Sequence, residues 1–169
     1  DSADIGVLTN DQLAAMNSLQ LRAIDSADIP SLSLSALSGL SGTQLGTLTN
    51  AQLGKLTSDQ LQALSADQLA GLTTYQMSSL QTADLNVLTV SQYQNLSTRQ
   101  IAALDSHQVF SMESLDLQAL SSAQVRALSL STITGLDSTH IGMLSASQLA
   151  GLSTAQLAAI ETGDFAAIE

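Results

Sequence analysis

Apolar residues return along this chain at two fixed points of every eight. In SADQLAGLTTYQMSSLQTADLNVLTVSQYQNLSTRQIAAL, residues 65 to 104, the frame reads S-x-x-Q-L-x-x-L. Extended in both directions it gives 21 consecutive octads from Asp1 to Ile168, with no residue inserted or deleted, and Glu169 opens a twenty-second. With the octad numbered 1 to 8, position 8 falls at Leu8, Met16, Ile24, Leu32 and onward to Ile168, and all 21 members are Leu, Ile or Met. Position 5 runs from Ile5, Leu13 and Leu21 through Leu157 and Phe165, and Tyr93 is its most polar member. These two columns are the predicted core. Position 1 is Ser, Thr, Asp or Asn in 18 octads, with Gln81, Glu113 and Glu161 as exceptions, while position 4 is Gln in 13 and Asp in five.

A continuous helix cannot use this pattern. Eight α-helical residues turn about 800°, so the apolar pair would drift about 80° per octad and wind around the helix instead of facing one partner. Something must reset the backbone in each unit, and the polar positions supply it. Ser/Thr-x-x-Gln is a capping box, in which the hydroxyl accepts from the N–H three residues on and the Gln side chain reaches back to the cap's own N–H. A new short helix is therefore predicted to start at every position 1. The cap residue is expected to be extended and, alone, to make the bend, so that each unit is one cap followed by roughly two helical turns.

The charges test this reading independently, because helix starts favour negative side chains and helix ends positive ones. All 15 acids sit at positions 1, 3 or 4, and three of the four bases, Arg22, Lys55 and Arg126, sit at positions 6 or 7, with Arg99 the exception. Position 7 is Ala, Gly or Ser in 15 octads, which permits close approach between units. A β-solenoid of octad coils is the rival, but strands want β-branched and aromatic residues at period two, and this chain prefers Leu, Ala and Gln. The expected fold class is all-α, a solenoid or superhelix of short capped helices, one per octad. Residues 1–169 then form a single array without separate domains. Burying a Leu contributes roughly 1.5 to 3 kcal/mol and a good cap roughly 1 kcal/mol, so caps are a substantial part of each unit's stability. Three or four octads per superhelical turn would set a later helix over an earlier one.

A longer period lies beneath the octad. Only four octads carry Leu at positions 2 or 3, and they pair 96 residues apart, Leu19 with Leu115 and Leu34 with Leu130. NSLQLRAI at 17 to 24 matches ESLDLQAL at 113 to 120, and SLSALSGL at 33 to 40 matches SLSTITGL at 129 to 136, so a block of twelve octads is duplicated. Tandem duplication alone accounts for the pairing. The sharper reading makes Leu19, Leu34, Leu115 and Leu130 a recurring outer apolar patch that docks an unknown surface ligand. Solenoids usually close with atypical polar repeats, and neither end here has one. The expectation is a segment of a longer array, or a subunit that stacks head to tail through a seam of Ile5, Leu8, Phe165 and Ile168.

A net charge of −11 with four bases argues against nucleic acid and anionic membrane surfaces. The longest charge-free stretches, such as 141 to 160, carry Ser, Thr and Gln too regularly for a membrane span. His107 and His140 stand at positions 3 and 4 of separate octads, where a solvent-facing or capping role is expected. The acids match no D-x-D-x-D-G loop and are read as caps. No catalytic, cofactor-binding or metal-ligating constellation is found, so no enzyme and no cofactor are expected.

The octads LTNAQLGKLTSDQLQALSADQLAGL and LSASQLAGLSTAQLAAI resemble the LTTAQIAAL-type octapeptide arrays of very large bacterial secreted and surface proteins, often described as adhesin-like. The resemblance covers all 21 octads. It implies an extended structural or adhesive role at the cell exterior, extracellular or on the cell surface. Taken with the uncapped ends and unbroken frame, the first expectation is a rod, stalk or filament body that associates with itself. The alternative is an adhesive or protein-binding module that presents positions 2, 3 and 6 as its outer face.

Overall fold

The computed structural model describes residues 2–160. They fall into two compact units, Asp1–Leu88 and Thr89–Glu169, whose boundary coincides with the end of the eleventh octad. Both units are all-helical. Among the described residues there are 19 α-helices and one 3₁₀ helix, one per octad, and no strand. The arrangement within each unit is solenoid-like, as the eight-residue frame predicts.

The helices are shorter than two turns. Thr49 caps a helix of four residues, Asn50–Leu53, and Thr57 one of six, Ser58–Ala63. Most octads close on a pair of backbone bonds, seen in Leu53 N–H to the Thr49 carbonyl at 2.9 Å and Leu56 N–H to the Leu53 carbonyl at 3.1 Å. The bend takes two residues instead of the expected one. Leu64 at position 8 is extended (φ −64°, ψ 131°), and so is the Ser65 cap after it (φ −71°, ψ 162°). One octad departs further: Ser26–Ser31 is 3₁₀ and contains Pro30, which has no N–H for an α-helical bond.

All 13 octads with Gln at position 4 form the full, reciprocal capping box, from Thr9/Gln12 to Ser153/Gln156. The expectation that every position 1 caps is corrected at two places. Gln81 and Glu113 make no side-chain cap bond, because neither offers a short acceptor at the distance that Ser, Thr, Asp or Asn provides.

Three octads make one turn. Within the first unit the helix Asn10–Ala15 packs on Leu34–Leu37 and Leu34–Leu37 on Ser58–Ala63; within the second, Thr98–Ala102 packs on Ser122–Ala127 and Ser122–Ala127 on Ala146–Gly151. Each contact joins an octad to the third one after it. Positions 5 and 8 fill the interior, from Leu13 and Leu21 to Leu152 and Ile160, with Met16, Leu149 and Leu157 only half-buried. Position 7 meets position 2 of the octad below. A Cβ added to Gly71 would run into the backbone of Gly42, and one added to Gly39 into that of Asn10.

From Ala36 onward position 4 forms a third, largely interior column, read from sequence only as capping, whereas Gln12 and Gln20 are exposed. Gln52 is 1% exposed and Gln60 2%. While its Oε1 accepts from its own cap, the Nε2 of Gln52 donates to the carbonyls of Leu21 and Ile24, both at 2.8 Å. Gln68 does the same to Leu37 and Leu40, and in the second unit Gln124 to Tyr93 and Leu96 at 2.8 and 2.7 Å. These acceptors lie 31 and 28 residues back, at the end of the octad that leads into the helix beneath. A helix of one turn consists almost wholly of unsatisfied ends. One amide here serves a helix start on one level and a helix end on the level below.

Candidate functional site

The interior columns leave the position 1 caps, the small residues of position 7 and, as the main outer face, positions 2, 3 and 6. On it the structure places Leu19 at 78% exposed, Leu34 at 46%, Leu115 at 66% and Leu130 at 50%. It does not bring the members of one duplicated block together. Leu19 belongs to the third octad and Leu34 to the fifth, so the three-octad turn sets them on different stacks, and the same holds for Leu115 and Leu130. Of the seam residues, Ile5 and Leu8 are half-buried, whereas Phe165 and Ile168 lie outside the described residues.

His140 takes the place of Gln in its octad and does a similar job. Its Nδ1 lies 2.6 Å from Asp137 Oδ1 and its Nε2 3.0 Å from the Phe110 carbonyl, 30 residues back. Both ring nitrogens thus face oxygen acceptors, and the Phe110 ring lies 4.6 Å from the imidazole between centroids. The Asp137 carboxyl accepts from the His140 backbone N–H and then from its ring, and these bonds hold it below the usual carboxylate range. The capping role expected for His140 is thus joined by a tie between levels.

At two position 4 carboxylates, Asp84 and Asp116, the shift runs the other way. Burial raises the Asp84 carboxyl, against the opposing hydrogen bond from the Gln81 backbone N–H, and its Oδ2 is buried without a hydrogen-bond partner, as is Oδ1 of Asn86. Asp116 is 5% exposed, and burial first and Glu113 second push its carboxyl up to about 6. Tyr93 is fully buried, and burial, Asp116 and Glu113 together drive its phenol upward.

A groove of about 580 Å³ opens on the first unit between the third, sixth, seventh and tenth octads. Its lining includes Ser18 and Arg22 of the third octad, Thr47 and Asn50 of the sixth and seventh, and Thr73 and Tyr75 of the tenth. Tyr75 is 72% exposed. The site is not legible in the sequence, because Arg22 and Tyr75 are 53 positions apart and come to line one groove only through the three-octad turn. Among the described residues no group of three or more His, Asp or Glu side chains is placed to hold a metal ion, and no helix is long and apolar enough to cross a membrane.

No curated protein matches the chain. The family model described as the ALTTAQ repeat matches residues 77–112 and 109–146 in tandem, and with the same frame running through every described helix the chain is an octapeptide-repeat array.

Proposed function

We propose that this protein is a structural element, the body of an extended rod, stalk or filament at the bacterial cell exterior, without enzymatic activity and able to associate with copies of itself. The observation that carries this reading is the Gln tie. Within each unit the same amide, wherever position 4 is a buried Gln such as Gln52 or Gln124, fastens an octad to the level below, so stability accrues locally and length can be added without redesigning a core. Sedimentation velocity over a wide concentration range, with negative-stain microscopy of the same samples, tests it. Fibres of uniform width, or mass growing with concentration, are expected. Ile168→Asp should reduce such growth and Thr162→Asp should not, since only the first puts a charge in the apolar column. Dispersed particles of constant mass at all concentrations would overturn the self-association.

A second reading, an adhesive module, is favoured by the exposed Leu19, Leu34, Leu115 and Leu130. Surface-immobilised chain that retains partner cells, and loses them on Leu19→Ser with Leu115→Ser, would support it over the first.

A further inference from the structure

The groove between Arg22 and Tyr75 has a chemistry that the scaffold does not require. In a chain of net charge −11, Arg22 stands at position 6, on the outer face, and among the described residues it has neither hydrogen bond nor ion pair. In the same groove Tyr75 is 72% exposed, at a position where the neighbouring octads carry Asp or Ala. Short polar side chains complete the lining. The Thr47 hydroxyl donates to the Gln44 carbonyl at 2.7 Å, leaving its oxygen free to accept, and the Asn50 amide is steadied by a 2.6 Å bond to the Ser79 hydroxyl. Ser18 adds a hydroxyl beside Arg22.

The duplicated block supplies an internal control. At a spacing of 96 residues Leu19 is matched by Leu115, Leu21 by Leu117 and Ser18 by Ser114, but Arg22 is matched by Gln118. The block does not hold every scaffold position, since Asn17 is matched by Glu113 and Gln20 by Asp116, but Gln118 shows that the solenoid does not call for a guanidinium at position 6. Helix-end electrostatics explain a base at position 6, yet they do not explain an exposed aromatic ring lining the same groove.

We propose that this groove binds an acidic saccharide, with the sugar carboxylate on the Arg22 guanidinium, the C–H face of the ring on Tyr75, and the ring hydroxyls on Ser18, Thr47 and Asn50. A guanidinium presents two parallel donors that match a carboxylate. A small set of placed polar groups beside an exposed aromatic ring is the usual make-up of a site that orients a polar ligand. The proposal goes beyond the structural role, and its failure leaves that role untouched.

The test is titration of the full chain with a galacturonic acid trimer, followed by the Arg22 side-chain and Tyr75 ring NMR signals. Saturable shifts of both are expected, with none from a neutral glucose trimer. Arg22→Gln, the residue already tolerated at position 118, should fold as judged by circular dichroism and weaken binding by about tenfold or more. Tyr75→Ser should weaken it too, and Leu115→Ser should not. Absence of saturable shifts, or equal binding by Arg22→Gln, would overturn the proposal. So would inorganic phosphate binding as tightly as the trimer, since that would leave an anion site without saccharide recognition.

Discussion

Two successive octads of the first unit, 73–80 and 81–88, build the same backbone with different polar chemistry. In the earlier one Thr73 and Gln76 form the complete box, and the Gln76 amide donates to the Leu45 and Leu48 carbonyls at 3.2 and 2.9 Å. In the later one Gln81 makes no cap bond and Asp84 keeps a buried oxygen without a partner, yet a helix still spans Thr82–Asn86 over a buried Leu85 and Leu88. The apolar pair therefore sets where a helix forms. The polar pair decides how firmly it is fastened and how it answers to pH.

The largest effect should come from the shared part. Leu80→Ala, in the position 8 column, should cost about 2 to 5 kcal/mol in denaturant unfolding, as for other large-to-small core changes. If instead it costs no more than the exposed Gln94→Ala, the interior has been assigned to the wrong face. Next comes the tie. Gln76→Ala strands the Leu48 carbonyl and the Thr73 N–H and takes one of two donors from the Leu45 carbonyl, and about 2 to 3 kcal/mol of destabilisation is expected. A loss equal to a simple cap deletion, about 1 kcal/mol, would mean that the inter-level bonds contribute little.

Repairing the later octad should work in the opposite direction. Asp84→Gln together with Gln81→Ser converts it to the standard box, and a gain of about 1 kcal/mol at neutral pH is expected, read as a raised midpoint with unchanged slope. The smallest effect is electrostatic and concerns the second unit. Because the folded Asp116 carboxyl titrates near 6, above its ordinary value, the folded state holds that proton more tightly than the unfolded one. Its contribution to stability therefore grows as pH falls through about 6 and levels off below the ordinary 3.8. Asp137, held low by His140, acts oppositely and loses its contribution as pH falls through its folded value. The wild-type melting temperature at pH 5 minus that at pH 7 should thus exceed the same difference for Asp116→Asn. Equal differences would show that Asp116 is not the responsive group.

These contrasts mark how far sequence could reach. Helix starts, the apolar columns and small residues at position 7 were legible, because each is fixed by contacts within one octad or by a steric rule any neighbour would impose. Gln52 was legible by halves. Its Oε1 bond is local, but its Nε2 bonds cross 28 and 31 residues, and that distance depends on the number of octads per turn, which no single octad encodes. Pro30 was visible and its 3₁₀ turn was not anticipated, though the missing N–H was reason enough. The groove lined by Arg22 and Tyr75 needs the same turn number before two surface residues 53 positions apart can share one site.

The reach of the Gln tie also bears on how such a chain folds in time. The first tie to form must close a loop of about thirty residues, an entropic cost of about 3 kcal/mol from the logarithmic dependence on loop length. Every later octad then lays eight residues onto a surface already in place. Folding should be slow to nucleate and quick to propagate, with five successive octads as the smallest nucleus that can hold one complete tie. A fragment of residues 9–48 contains such a tie, Gln44 to Leu13 and Met16, whereas residues 17–48 contain none among the described bonds. Helicity by circular dichroism should rise abruptly between the two, and a smooth increase with length would mean that octads order independently. Because no single octad marks the starting point, synthesis would allow the nucleus to form as soon as any five successive octads that hold a tie, such as residues 9–48, have left the ribosome, and the octads that follow would assemble at the pace of translation.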